Sequence, residues 1–383
     1  MRISKFTKVA IMATVAAVAV VPSAVAYDLT GAGATSVTNF LEKCKTSYQN
    51  DTKDTFSYAS GGSGAGKTAI NAGTKDVAFS DSANTNADKP ASVFHIPAAV
   101  WPIGIAYNLN NSANKPLQLS VGTIAKIFAG QITMWNDPAI VADAQRVREI
   151  PVYEVKDGKT VLDANGSPVI KSYRKLTIPF TMPAKPITVI YRGGTSGTTN
   201  NFVSALAGLA PTVWTKPATD AFTTSNPLDV STRPGTFQAG TGSNGVADIA
   251  GRTKYSIAYV ETGFISANPA LKAAVVLNNA GKSVSPNVAG AQGMFAASDL
   301  NEATGLVKWN YATTSPAAYP FTAATYAMVK SNYGKADLAA AVKRQVEYMA
   351  FNCSKSVTTE GMIPIEKTSD LGKAILKLTA KIG

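Results

Sequence analysis

The sequence predicts an α/β protein of two domains, and three observations carry that reading. A strand-like segment, a run of glycine and small residues and an apolar-faced helix follow one another three times along the chain. Behind an apparent leader the chain keeps 357 of its 383 residues, enough for two domains. Its apolar content of 45% supports a real core, with no repeat or low-complexity tract.

The leader is "MRISKFTKVAIMATVAAVAVVPSAVA". Arg2, Lys5 and Lys8 precede an apolar run from Val9 to Val21, then Pro22 and Ala24-Val25-Ala26. This is the pattern of a secretory signal peptide over residues 1–26, with cleavage after Ala26. The run of 13 residues falls short of the roughly 20 that span a bilayer. A lipid anchor would need a cysteine at the cleavage point, whereas the first cysteine is Cys44. The expectation is a free periplasmic or secreted protein. Removing the three leader cations takes the formal net charge from +12 to +9, with Lys and Arg scattered along the chain. Scattered charge argues against nucleic acid as a partner and fits long-range attraction of small anions. His95, in apolar "SVFHIPAAV", is the only histidine, so it reads as core or hinge. One histidine and two distant cysteines make no zinc site, and no metal, cofactor or catalytic residue is expected.

Each of the three loop units has its own variation. "YDLT" feeds "GAGATS" and a helix with Val37, Phe40 and Leu41 inward. "TFSYAS" feeds "GGSGAG" and "KTAINAG", which Gly73 ends. This second unit holds a full match to the nucleotide pattern G-x-x-x-x-G-K-[ST], from Gly61 to Gly66, Lys67 and Thr68. An exported compartment holds little ATP, and "DVAFSD", ending in Asp81 only 13 residues after Thr68, is a poor magnesium-binding partner. The nucleotide reading is therefore set aside. In the third unit "ITVIY" leads to Arg192, the small-residue run Gly193 to Thr199, and "NNFVSAL". A helix N-terminus offers free N–H groups and a positive dipole to an anion. Three such termini point to one convergent oxyanion pocket, in which Arg192 adds a bidentate cation.

Over nearly the whole length after the leader, these segments resemble the periplasmic phosphate-binding proteins of high-affinity phosphate ABC transporters (PstS-like solute-binding proteins). "LTGAGAT" is similar to the family's opening loop, and "SYASGGSGAGKTAINAGTKDVAFSD" to its second loop and acidic turn. "VGTIAKIFAGQITMWNDPAI", "YRGGTSGTT", "NGVADIAGRTKYSIAYVE" and "YPFTAATYAMV" match further family segments in order. The resemblance implies Thr35, Ser36, Ser63, Asp81, Arg192, Ser196, Gly197 and Thr198 as phosphate ligands. Lys67, a helical turn beyond Ser63, is expected to be solvated. Two positions depart from the pattern. Ser36 stands where the family often has an aromatic residue that binds through its amide. Gly194 stands where an acid usually orients the arginine, which leaves Asp81 as the main acidic ligand. An ionised Asp81 accepts the proton that phosphate carries and sulfate lacks, so selectivity comes from rejection.

The resemblance also implies a type II periplasmic-binding-protein fold: two α/β lobes joined by crossing strands, with ligand in the cleft between them. Lobe one would comprise residues 27–98 and 319–383, and lobe two 99–318. The crossings are expected near "IPAAVWPIGIAYNL" and "AYPFTAATYAMV". Between "WNDPAI" and "ITVIYR" the chain is longer than related chains. Asp157-Gly158 and Asn165-Gly166 there read as hairpin turns, giving a β-hairpin insertion on lobe two. The implied partners are inorganic phosphate and the permease subunits of an ABC importer, served by a monomer. An exported phosphatase-like relative acting on phosphate esters is the alternative. Cys44 and Cys353 lie in helical segments, and an oxidising compartment favours a bridge between them over two buried thiols.

Overall fold

The computed structural model describes residues 26–109, 116–161, 169–178 and 181–383. The chain opens with strand β1 (Asp28–Gly33), helix α1 (Thr38–Thr52), β2 (Thr55–Ser60), α2 (Ser63–Asn71) and β3 (Val77–Ser80). The long strand β4 (Val93–Tyr107) follows. Next come β5 (Thr188–Gly193), α3 (Gly197–Leu209), β6 (Phe237–Thr241), α4 (Gly242–Arg252) and β7 (Ser256–Glu261). The return is made by β8 (Thr322–Lys330) and α5 (Ala336–Tyr348). These strands form one curled sheet in the order β6-β5-β7-β4-β8-β3-β1-β2, with Lys272–Ala273 also paired to β4.

Two parallel three-stranded blocks sit at the ends of this sheet. β1 runs parallel to β2 and β3, and β5 runs parallel to β6 and β7. Parallel strands with helical crossovers direct their carboxyl ends, and the loops after them, to one side. The antiparallel pair β4 and β8 joins the blocks. Two prolines in β4 explain where its pairing changes. Pro97, which has no N–H to donate, sits where the β4–β8 register slips between Thr325 and Tyr326. Pro102 is the last β4 residue opposite β8, and from Ile103 onward β4 pairs with β7. Both crossing segments expected from the sequence thus lie in these two strands. The junction is sealed by Trp101, Tyr259, Tyr319, Phe202 and Phe321, all essentially inaccessible.

The insertion is a two-stranded hairpin, Arg146–Tyr153 against Ile170–Ile178. Within it Val155–Lys156 pairs with Lys159–Thr160 across Asp157 and Gly158, at φ 52° and 75°. Positive φ at both central residues is the type I′ geometry that the Asp-Gly pair favours. The second expected turn, Asn165-Gly166, lies outside the described residues.

A disulfide joins Cys44 of α1 to Cys353, in a π-helical turn (Met349–Cys353) after α5, with Cα atoms 5.6 Å apart. It therefore links segments separated by 309 residues. Nearby, Arg344 of α5 reaches the segment just after α1, its Nε and Nη2 bonding the fully buried Asp54 carboxylate at 2.9 and 3.0 Å. Tyr48 and Tyr348 add an edge-to-face contact at 5.3 Å between ring centroids.

Candidate anion-binding site

The site forms where strand ends meet helix starts. Gly33 closes β1 at φ 135°, and a Cβ there would lie 2.0 Å from the Phe79 carbonyl, so only glycine fits. The Gly33 carbonyl accepts the amides of Gly61 and Gly62 at 3.1 and 2.8 Å, stitching the first loop to the second. α2 then starts at Ser63, whose hydroxyl oxygen accepts from the Gly197 amide at 3.0 Å and the Asp81 amide at 3.3 Å. Gly197 is the first residue of α3, so this one hydroxyl connects the two halves of the molecule. A Cβ on Gly197 would meet Asp81 and Ser82 backbone at under 3 Å, which explains a glycine at that helix start. Ser196 caps α3, its hydroxyl accepting from the Thr199 amide at 3.3 Å.

Asp81 sits at the centre, 2% exposed. Its Oδ1 accepts from Ser36 Oγ at 2.8 Å and from Thr325 Oγ1 at 2.7 Å. Among the described residues its Oδ2 accepts from Thr198 Oγ1 alone, at 3.3 Å. Burial first, then the Glu261 charge, pushes the Asp81 carboxyl up to about 7, against lowering by Thr325, Ser36 and Arg192. Arg192 is 4% exposed. Among the described residues its guanidinium makes a single hydrogen bond, from Nη1 to Ser243 Oγ at 3.3 Å, while Nε is buried without a partner. A buried cation with an unpartnered Nε and a buried carboxylate whose Oδ2 has one long contact thus lie where the starts of α2, α3 and α4 meet. Such a constellation fits a small oxyanion that carries a proton. A cleft of about 660 Å³, lined by Thr35, Ser60, Gly61, Gly194 and Ser243 among others, opens onto Arg192.

The family model of the PBP superfamily domain matches residues 19–350. The chain belongs to the PBP superfamily. Among curated relatives, it is 28% identical over 359 residues to the phosphate-binding protein PstS 2 of Mycobacterium tuberculosis, covering 89% of this chain and 84% of that one. It is also 28% identical over 337 residues to the phosphate-binding protein PstS of Pasteurella multocida, covering 88% and 85%. Among solved structures, a phosphate-binding protein from Stenotrophomonas maltophilia matches with a TM-score of 0.62 at 18% identity, over 92% of this chain and 93% of that one. A high affinity periplasmic phosphate-binding protein (PfluDING) bound with phosphate matches at 0.65 and 19%, over 92% and 93%. At these identities the structural likeness establishes the two-lobed fold.

In this PBP-superfamily chain the eight residues expected at the site lie close together, in roles that differ in detail. Thr35 Oγ1 contacts Ser243 Oγ at 3.0 Å and accepts the Ser243 amide at 3.2 Å. The Ser36 hydroxyl is directed to Asp81, so the departure at Ser36 serves the carboxylate. Gly194 has φ 74° and open space beside it, so no side chain at that position meets Arg192. Lys67 corrects an expectation. It is 6% exposed, not solvated, and its Nζ pairs with Asp220 Oδ2 at 2.8 Å and bonds Ser82 Oγ at 2.9 Å. Asp220 in turn takes the Ser196 amide on its carbonyl at 2.8 Å and Asn200 Nδ2 on Oδ1 at 3.0 Å. The apparent nucleotide lysine is thus consumed by a carboxylate brought from 153 positions away.

Four residues escaped the sequence reading. Ser243 starts a fourth strand–glycine–helix unit, "FQAGTGSNGVADIA", whose spacing carried the same signal as the other three. Thr325, whose hydroxyl is oriented by a bond from Trp101 Nε1 at 2.8 Å, had no local motif. Neither had Asp220 nor Glu261, the buried acid that ends β7. His95 is structural: Nε2 accepts the Asn84 amide at 2.9 Å, and burial with nearby Lys89 and Lys67 lowers it to about 4. Ser196, engaged as a helix cap, has no imidazole to activate it, so the phosphatase alternative gains no support. No helix among the described residues is long and apolar enough to cross a membrane.

Proposed function

We propose that this protein binds inorganic phosphate in the cleft between its lobes, outside the cytoplasm, and delivers it to the permease subunits of an ABC importer. It acts by capture and release, as a monomer, without turnover. The observation that carries the reading is a buried Arg192 with an unpartnered Nε in the same site as a buried Asp81 carboxylate, whose Oδ2 keeps a single long hydroxyl contact. Arg192 and the starts of α2, α3 and α4 would neutralise the oxyanion, and Asp81 Oδ2 would take its proton. Thr35, Ser36, Ser63, Ser196, Gly197 and Thr198 would surround it, Ser63 donating while it accepts two amides. Names of the relatives, phosphate-binding proteins of similar length, support the same ligand.

Residues 27–98 with 319–383 are proposed as lobe one and 99–318 as lobe two. The change of β4's neighbour at Pro102, a few residues past that first boundary, supports the division. A leader over residues 1–26 and the membership of the chain in a binding-protein superfamily support export. Calorimetric titration of ligand-stripped protein with phosphate, sulfate and ATP tests the proposal. Stoichiometric phosphate uptake with weak sulfate and no ATP binding is expected. Binding of ATP, or sulfate equal to phosphate, would refute it.

A further inference from the structure

Ser243 stands second in α4, which starts where β6 ends, and it is wholly buried. Its Oγ accepts from Arg192 Nη1 at 3.3 Å, the one hydrogen bond of that guanidinium among the described residues. The same oxygen lies 3.0 Å from Thr35 Oγ1, and the Ser243 amide donates to Thr35 Oγ1 at 3.2 Å. Arg192 and Ser243 belong to the proposed lobe two and Thr35 to lobe one, so these contacts cross the cleft that all three line. Between the two hydroxyls either oxygen could donate. The cation decides the direction. A hydroxyl has one hydrogen and two lone pairs. Ser243 Oγ spends a lone pair on a guanidinium, which polarises its own O–H into a stronger donor. Thr35 Oγ1 already accepts the Ser243 amide. Taking the Ser243 hydrogen as well fills both its lone pairs and leaves its own hydrogen for the cleft. The opposite arrangement would turn a Thr35 lone pair toward an anion, which repels it. With an oxyanion in the cleft, hydrogens run one way: Arg192 to Ser243, Ser243 to Thr35, Thr35 to the ligand.

We infer that Ser243 is a positioning residue for anion binding: it anchors the Arg192 guanidinium and commits the Thr35 hydroxyl to donating. The inference rests on the phosphate reading above and deepens it. Gly194 brings no side chain to Arg192, and Ser243 carries no charge, so the cation is oriented without being neutralised. The donors that Ser243 arranges serve oxygens that phosphate and sulfate both have. Ser243 therefore sets how tightly an oxyanion is held, and Asp81 sets which one.

The test is calorimetric titration of ligand-stripped protein with inorganic phosphate, and separately with sulfate, at one pH and ionic strength. Ser243→Ala should weaken both anions alike, by about tenfold, because a charge-assisted hydrogen bond and the relay behind Thr35 are lost. Ser243→Cys, whose thiol accepts and donates weakly, should fall between Ser243→Ala and wild type. In an Arg192→Met or a Thr35→Val background the further loss from Ser243→Ala should shrink to about threefold or less, since members of one network couple. A residue that merely packs the start of α4 would cost the same in every background. Wild-type phosphate affinity in Ser243→Ala, a loss confined to one anion, or an undiminished loss in the double variants overturns the inference alone. If Arg192→Met takes up phosphate too weakly to titrate, the Thr35→Val background decides. If circular dichroism finds Ser243→Ala unfolded, Ser243→Cys takes its place in each comparison. Wild type that takes up neither anion overturns the phosphate reading and this inference together.

Discussion

The loop at residues 60–70 and the loop at 192–199 share one grammar, a strand, glycines and a helix start, and each holds a buried cation. They differ in what that cation meets. Lys67 is saturated by Asp220 and Ser82, so its charge is spent holding the two halves of the molecule together. Arg192 keeps a buried Nε without a partner and finds no acid at Gly194. A cation matched by a carboxylate is a structural tie, whereas one left unmatched in a closed site is a binding group. The nucleotide pattern thus names the wrong cation, because a pattern records residue type and spacing but not the long-range partner.

Removing each cation separates the two roles. Arg192→Met should weaken phosphate binding more than a hundredfold, since charge-assisted hydrogen bonds contribute about 1.5–3 kcal/mol each. Ligand-free thermal stability should hardly fall, because a partnerless buried group is lost. Calorimetry with a melting curve reads both, and near-normal affinity would make Arg192 a structural residue. Lys67→Met leaves Asp220, 17% exposed at its side chain, without its cation. Breaking such a pair costs about 3–5 kcal/mol when fully buried, and somewhat less here. The loss should appear mainly as lower melting temperature, with a smaller fall in phosphate affinity through cleft closure. Adding Asp220→Asn should recover part of it. ATP binding by wild type that Lys67→Met abolishes would reverse the assignment.

Smaller effects sharpen the contrast. Ser63→Ala strands the amides of Gly197 and Asp81, so phosphate affinity should drop by roughly 1–3 kcal/mol. An unchanged affinity would mean that the two loops do not need this tie. The pH dependence of sulfate binding is the mildest test. With the Asp81 carboxyl near 7, the protonated fraction grows as pH falls through 7. Sulfate, which needs a donor there, should bind more tightly with each step down, by at most about tenfold per pH unit. Sulfate affinity flat between pH 8 and 6 would place the relevant proton elsewhere.

Much of this architecture was legible because glycine loops and apolar strands are local signals. Gly33, Gly197 and the Asp157-Gly158 turn each sit where backbone geometry or close approach demands them. The strand crossings were marked by a long apolar run with two prolines. What escaped depends on distance in sequence. Asp220 becomes a partner of Lys67 only when the halves close, and Thr325 reaches Asp81 from a strand 244 residues later. Glu261 resembles an ordinary polar residue ending a strand until its burial is seen. The Ser36 hydroxyl could face ligand or carboxylate, and spacing cannot choose between them.

In this pocket selectivity rests on a carboxylate, Asp81, reading a proton. Asp81→Asn keeps the shape of that carboxylate but offers an N–H in place of an acceptor. Paired calorimetric titrations of phosphate and sulfate on wild type and Asp81→Asn, at one pH and ionic strength, test it most directly. Sulfate is expected to gain on phosphate by more than phosphate binding itself changes. A phosphate-to-sulfate ratio equal to that of the wild type would contradict it.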